Sequence, residues 1–321
     1  MTDSLNVCVG IDAGSSESKL AYADNLSTRI IAVLDGLDLN AIREEAEAFF
    51  DEPVFACVAA VPENFTRAQR DDLRIRAGSS GFGKIEIIPE HEAVILGLGG
   101  SGRTLVYDLG ASACRMFMLD GAELIESVTV GDVCGREFDR KLSEYLAERF
   151  RIEAVDVNDV RRIKHALSEE NYAVWRETRI LRDELERLLH FPVKRTGRIL
   201  SRLERVHNPD RIILTGGSIK VPCVWKVLTG SVSVKPEYRG NIIAEGAASR
   251  AMTLQNGSRE ARKADNSAKI RELRAAIISI EELLTRRQKD RVYAIFRQAE
   301  GINDSTVLAM MENLIREIKN A

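Results

Sequence analysis

Asp12, Gly14, Ser15 and Ser16 close an apolar run over residues 7–11 in the segment VCVGIDAGSSESKLAYAD. A buried strand that breaks into a Gly/Ser turn presents backbone N–H groups and two hydroxyls beside one carboxylate. Exposed amides and hydroxyls hold phosphate oxygens, and an aspartate holds magnesium directly or through its water. Taken singly, Asp-x-Gly-x-Ser is also the mark of an ordinary hairpin turn. A second copy, LVYDLGASACRMFMLD over residues 105–120, favours the phosphate chemistry. Asp12 aligns with Asp108, Gly14 with Gly110, Ser16 with Ser112, Lys19 with Arg115, and Asp24 with Asp120. Each copy is a strand, a Gly/Ser turn, a second alternating strand and an Asp-led reverse turn, with Asp120-Gly121 a two-residue hairpin signal. Two such hairpins facing one another would close around a phosphate chain from both sides.

The flanking elements follow from periodicity. Residues 28–34 predict a third strand, residues 39–50 a helix with Ile42, Ala46, Phe49 and Phe50 on one face, and residues 54–61 a continuously apolar, doubly buried strand. Pro62 ends that strand, Thr66 caps a helix over 66–77, and a short strand at 85–88 leads to a helix over 90–98. Gly97, Gly99 and Gly102 spell G-x-G-x-x-G, but no strand precedes them and no helix follows, so they mark the connection between two lobes instead. The second lobe continues with a strand at 124–130 and helices predicted over 137–150, 157–166, 168–190 and 193–205. In the third of these, Ile180, Leu181, Leu185, Leu188 and Leu189 form an apolar face. A strand at 210–214 then runs into Gly216, Gly217 and Ser218, and a helix over 220–227 follows with Pro222 in its first turn. A glycine pair there lets a flat ligand lie against the backbone. Alternating strands and crossover helices imply a partly parallel sheet in an α/β fold.

These segments resemble the nucleotide-binding domain of the 70 kDa heat-shock chaperones of DnaK type, within the actin-like and sugar-kinase-like ATPase superfamily. The resemblance is carried by GIDAGSSESK (10–19), AAVPENFTRAQRDDLRIRAG (59–78), IIPEHEAVILGLG (87–99), VYDLGASACRMFML (106–119), GDVCGREFDRKL (131–142), IILTGGSIKVP (212–222) and AEGAASRA (244–251). It implies two lobes of duplicated mixed β-sheets with flanking helices and a nucleotide cleft between them. The expected division is 1–102 with 240–254 as lobe I, 103–239 as lobe II, and 255–321 as a polar linker with a C-terminal helical hairpin. The resemblance gives Asp12 and Asp108 the part of metal-water aspartates and Glu90 that of the catalytic glutamate. ATP or ADP with Mg2+ would contact Gly14, Ser15, Ser16, Gly110 and Ser112 through its phosphates. The adenosine would lie on Gly216, Gly217, Ser218 and Lys220, with Arg179, Arg182 and Glu186 as candidate adenine clamps.

The departures limit what carries over. The segment between Asp24 and Val54 is far shorter than the family's, and no lysine stands between Lys19 and Lys84 to match its catalytic lysine. Arg29, Arg43 and Arg115 are the cations that would have to replace it. The second phosphate loop carries Ala111, Ser112 and Ala113 in place of a glycine triplet and threonine, and Gly240 falls where the family has an acid. No β-sandwich is expected after residue 254, so a chaperone-type nucleotide-binding protein with weak or no ATP hydrolysis is the leading expectation. A pseudo-ATPase scaffold that no longer binds nucleotide is its alternative. A sugar or acetate kinase would need a substrate-binding insertion, and material is missing instead.

Composition narrows the partners. A formal net charge of −3 with interspersed signs gives no basic stripe for nucleic acid. No apolar run reaches the length of a spanning helix and residues 1–6 carry no secretion signal, so no membrane is expected and the compartment reads as cytoplasmic. The cysteines at 8, 57, 114, 134 and 223 read as buried free thiols, and the four histidines have no metal-ligand spacing. A protein partner is expected through lobe II or the C-terminal helices. There Ile270, Leu273, Ile277, Ile280, Leu284, Val292, Ile295 and Phe296, then Leu308, Met311, Leu314, Ile315 and Ile318, form apolar stripes. These stripes are expected to bury against the nucleotide lobes or a second copy.

Overall fold

A computed structural model describes residues 7–99, 102–279, 285–299 and 305–319. The duplication seen in the sequence is carried into the topology. The first sheet uses β1 (Val7–Asp12), β2 (Glu17–Ala23), β3 (Thr28–Asp35), β4 (Val54–Val61) and β5 (Lys84–Pro89) in the order β3-β2-β1-β4-β5. The second uses β6 (Arg103–Leu109), β7 (Cys114–Asp120), β8 (Glu123–Val130), β11 (Arg211–Thr215) and β12 (Glu237–Tyr238) in the order β12-β11-β6-β7-β8. In each, three strands form an antiparallel meander and the remaining two add in parallel across the first. The registers match as well: Asp12 faces Lys19 across β1 and β2, and Asp108 faces Arg115 across β6 and β7.

Local sequence explains the first helices. In α1 (Leu39–Phe50), the Asp38 carboxylate accepts from the amides of Asn40 and Ala41. In α2 (Arg67–Ser79), Thr66 and Gln69 form a reciprocal capping box. Helix α3 (Glu90–Leu98) crosses from the first sheet to the second. A small-residue contact fixes its crossing with α8 (Ile242–Ser279): a Cβ on Gly246 would stand 1.6 Å from the Ala93 carbonyl oxygen. Between the sheets, Cys8, Ala56, Val58 and Ala60 from one face and Val106, Phe117, Leu119 and Ile213 from the other share one core with α3 and α8.

Lobe II departs from the sequence reading between residues 168 and 205. Helices α4 (Gly135–Phe150) and α5 (Val157–Glu169) form, but the helix expected over 168–190 is interrupted by a hairpin of β9 (Tyr172–Trp175) and β10 (Thr178–Leu181). The reason is a period of two inside an apparent period of 3.6. Ala173, Trp175 and Ile180 face inward, and Arg176 and Glu177 both take positive φ, at 46° and 59°, as a two-residue turn requires. The Trp175 indole N–H then donates to Asp159 at 2.9 Å. Helix α6 (Arg182–His207) is continuous through Pro192, so the separate helix expected over 193–205 is its second half.

The stretch 255–267 is helix and not linker, because α8 runs through it. A mixed-charge stretch is compatible with helix, and Gly257 is its only strong helix breaker. Beyond it, α9 (Arg286–Ala299) and α10 (Ser305–Lys319) close on the far half of α8. Ile270, Ile277, Val292, Ile295, Met311 and Leu314 bury against one another, with Leu273, Leu308 and Ile315 at the margin. The described part of the stripe is therefore covered by its own helices rather than by the nucleotide lobes. Ile280 and Leu284, and the side chains of Phe296 and Ile318, lie outside the described residues.

Candidate functional site

The two hairpin turns meet between the lobes. In lobe I, the Gly14 amide folds back to the Asp12 carbonyl at 3.0 Å and the Gly36 amide donates to the Ser16 carbonyl at 2.8 Å. A Cβ on Gly14 would lie 2.1 Å from the Glu17 carbonyl oxygen, so only glycine admits this turn. In lobe II, the Gly110 amide donates to the Ala113 carbonyl, while the first amides of α4, on Gly135 and Arg136, donate to the Gly110 and Ala111 carbonyls. The helix N-terminus is thereby spent on fixing the loop. Among the described residues, no backbone carbonyl accepts from the turn amides of Ser15, Ser16, Ala111 or Ser112. Arg136 reaches across the cleft, its Nη2 3.2 Å from the Ser15 carbonyl oxygen.

Three carboxylates converge behind these turns. Asp12 ends β1, Asp108 lies in β6, and Glu90 opens α3. Burial pushes Asp12 up to about 6 against the pull of Lys19, with the charge of Asp108 adding to the push. Burial also lifts Asp108 to about 6 against Arg115, and drives Glu90 well above the usual carboxylate range with Asp108 as the second cause. Arg115, 6% exposed, sets Nη1 3.3 Å from Glu90 Oε2 and 3.6 Å from Asp108 Oδ2. Glu90 Oε2 receives no aligned hydrogen bond, so this contact is an ion pair by proximity alone. Lys19, at the matching position of lobe I, instead donates to the Gly240 carbonyl at 2.5 Å.

The turn after β11 touches the same acids. Gly216 has φ 91°, and a Cβ there would stand 2.6 Å from Asp108 Oδ1. Gly217 faces open space, and Ser218 Oγ lies against Gly135 of α4. Lys220, at the end of the 3-10 turn Gly217–Lys220, is exposed. Of the adenine-clamp candidates, Arg179 stacks over Tyr172 with its guanidinium 4.6 Å from the ring centroid, and Arg182 donates to the Leu167 carbonyl at 2.9 Å. Both serve the β9–β10 hairpin. Glu186 is felt at α7 (Pro222–Thr229): after burial, its charge is the next cause that pushes the Cys223 thiol up to about 12.

Sequence reasoning missed the pair beside Glu90. His91 meets Glu63, Nδ1 to Oε1 at 3.0 Å, and despite burial this hydrogen bond holds Glu63 below its usual range. The Glu63 charge is felt at both Asp108 and Glu90. Proximity of Pro62 to a helix capped by Thr66 hinted only at a turn there. All five cysteines are buried, as expected. A surface hollow of about 300 Å³ lined by Ile163, Ala166, Tyr172 and Val174 shares no residue with this cleft.

Two duplicated sheets, each ending in a glycine turn beside an aspartate and facing one another across a cleft, define the actin-like ATPase architecture. A family model described as Hsp70 protein matches residues 32–265, and the chain belongs to the Hsp70 family. Relatives include Chaperone protein DnaK 1 of Synechococcus sp. and Chaperone protein dnaK3 of Synechococcus elongatus, each 28% identical over 260 residues, covering 67% of this chain and 34% of the relative. Chaperone protein HscA homolog of Rickettsia prowazekii is 28% identical over 233 residues, covering 67% of this chain and 38% of the relative. The chain thus spans about a third of the length of the curated relatives it matches. Among the described residues, no helix is long and apolar enough to cross a membrane.

The family implies magnesium beside the nucleotide, and the donor set does not fit it. Glu90 Oε2 and Asp108 Oδ2 face the Arg115 guanidinium, and Asp108 Oδ1 lies against Gly216. Asp12 is the one of the three acids without an ion pair to Arg115, and among the described residues no group of three or more His, Cys, Asp or Glu side chains is arranged to hold a metal ion.

Proposed function

We propose that the cleft binds ATP or ADP, with the phosphates between the Ser15–Ser16 and Ala111–Ser112 turns and the adenosine on the Gly216–Lys220 turn. The carrying observation is the pair of facing turns whose amides have no backbone acceptor among the described residues, with the Arg136–Ser15 contact bridging them. Backbone N–H groups so gathered are an anion site without the help of any one side chain. Asp12, Glu90 and Asp108 line its floor. Hydrolysis is very slow in this reading. Phosphoryl transfer depends on a preorganised cation at the transferring group, and loss of one such group slows reactions about a hundredfold to a thousandfold. Of the possible substitutes for the absent lysine, Arg43 is tied to Glu47 and the Ser80 carbonyl, Arg29 is exposed on β3, and Arg115 is held by Glu90 and Asp108.

The output of nucleotide binding is a change in how the lobes and the C-terminal helices present themselves to a protein partner, in the cytoplasm. Tyr172, Val174 and Leu181, exposed on the lobe II hairpin, support a partner there. Titration with ADP and ATP tests the reading. Trp225, 37% exposed on α7 near the Gly216 turn, reports by fluorescence. At a hundred times the dissociation constant, nucleotide should stabilise the chain by about 2.7 kcal/mol. Gly217→Val, which fills the open space over that turn, should abolish the effect. No measurable affinity at millimolar nucleotide would replace this reading with the interaction scaffold.

A further inference from the structure

Among the described residues, Arg115 is the cation within ion-pair distance of two acids of the cleft, while Lys19 acts on Asp12 and Asp108 only across space. Arg115 projects from β7 directly opposite Asp108, is as buried as the acids it meets, and lies within ion-pair distance of Glu90 and Asp108 together. A guanidinium is planar, permanently charged and only weakly hydrated, which suits it to stand among carboxylates where water has been excluded. Magnesium differs on each count. It keeps several waters in near-octahedral geometry and reaches proteins through free carboxylate oxygens. Here, among the described residues, Glu90 Oε2 has no hydrogen-bond partner and pairs with Arg115, and Asp108 offers Oδ2 to the same guanidinium. A hydrated dication placed on these oxygens would meet a fixed positive charge in a low-dielectric pocket, where like charges repel strongly.

We propose that Arg115 is a built-in counter-ion that takes the place of magnesium among Asp12, Glu90 and Asp108, so that the cleft takes a nucleoside di- or triphosphate as the metal-free species. The ligand class rests on the nucleotide reading above, whereas the exclusion of metal is a property of the empty cleft and is measured without nucleotide. The guanidinium offsets part of the negative charge of Glu90 and Asp108 that would otherwise repel the phosphate chain, and the turn amides hold the phosphate oxygens.

The test uses the full chain and Mn2+ as the probe for magnesium. Water-proton relaxation should show no Mn2+ bound to the wild-type protein at millimolar metal, and one site gained by Arg115→Met. Mn2+ should also raise the melting temperature of Arg115→Met and leave that of the wild type unchanged. In the nucleotide arm, wild-type affinity for ADP should be the same in Mg2+ and in EDTA. For Arg115→Met, chelation should weaken ADP by about tenfold or more, the scale of one lost charge-assisted contact. The proposal is overturned if the wild type binds Mn2+, if EDTA weakens its ADP binding about tenfold, or if folded Arg115→Met gains no metal. Should Arg115→Met fail to fold, the wild-type metal and EDTA titrations decide alone. If the wild type binds neither ADP nor ATP in either buffer, the nucleotide reading falls, and the Mn2+ arm still decides the role of Arg115.

Discussion

Lys19 and Arg115 occupy the same place in two copies of one sheet, each opposite the aspartate at or near the end of the neighbouring strand. Their surroundings differ. Lys19 is half-buried and donates to the Gly240 carbonyl, so its charge reaches Asp12 only across space. Arg115 is enclosed and ion-paired to Glu90 of the crossing helix as well as to Asp108. Lobe I therefore leaves its acid half-buried with its cation turned to a backbone carbonyl, while lobe II has folded its acid, its cation and the crossing helix into one buried cluster. Duplication preserves backbone position, and the neighbours brought in by later elements decide what a side chain does there.

The largest expected effect is on the lobe II side of that comparison. Arg115→Ala leaves Glu90 and Asp108 buried without their cation, and should cost about 3–5 kcal/mol in urea unfolding. Its expected counterpart at Lys19 is several times smaller. Equal costs at the two sites would mean that the Arg115 cluster is as solvated as Lys19.

The glycine turns sharpen the same contrast. Gly216→Ala must hold a φ of 91° and place its Cβ 2.4 Å from the Leu109 carbonyl oxygen and 2.6 Å from Asp108 Oδ1. A loss of about 1–3 kcal/mol in stability is expected, with weakened nucleotide binding because the shifted strand end carries Asp108. Gly217→Ala, which meets nothing, should fall within about 0.5 kcal/mol of wild type.

Asp12 makes the lobe I side testable by pH. Its folded-state value, about 6, lies above the ordinary 3.8, so between these values the folded chain holds more protons than the unfolded one. That contribution favours folding at low pH and is lost as pH rises through this window. Asp12→Asn removes it. The variant should therefore gain stability relative to wild type on going from pH 4 to pH 7, on the order of 1–2 kcal/mol given that Asp12 is half-buried. A stability difference that does not change with pH would show that Asp12 titrates as a solvated carboxylate.

The two hairpins were legible because a period of two ending in Gly and Ser repeats at matching acids; the register that sets Asp108 opposite Arg115 is fixed by the Gly110–Ala113 turn and was not read from the sequence. What Arg115 would touch was not legible. Glu90 comes from a helix placed by the packing of Gly246 on Ala93, a contact between segments far apart in the chain. The β9–β10 hairpin was hidden for a different reason. Ile180 and Leu181 continue the helical spacing of Leu185, Leu188 and Leu189, and only the alternation of Ala173 and Trp175 with Tyr172 and Val174 betrays a strand. In the C-terminal region composition misled: a polar, mixed-charge stretch serves equally for a coil and for a solvated helix, and tertiary anchors at both ends of α8 select the helix.

Lys19→Ala carries the smallest expected effect and the most specific one. The ammonium gives up one hydrogen bond to the Gly240 carbonyl, part-buried, and a single such bond is worth about 1 kcal/mol net. Removing its charge also removes the strongest pull keeping the Asp12 carboxyl down, so Asp12 should rise further. The variant should lose about 1 kcal/mol at neutral pH, and less near pH 4, where Asp12 is protonated in either protein. The Asp12→Asn background separates these two parts. If the loss from Lys19→Ala is unchanged in that background, the hydrogen bond to Gly240 accounts for all of it; if it shrinks, the charge of Lys19 acts on Asp12 across the strand pair, as Arg115 acts on Asp108 in the other lobe.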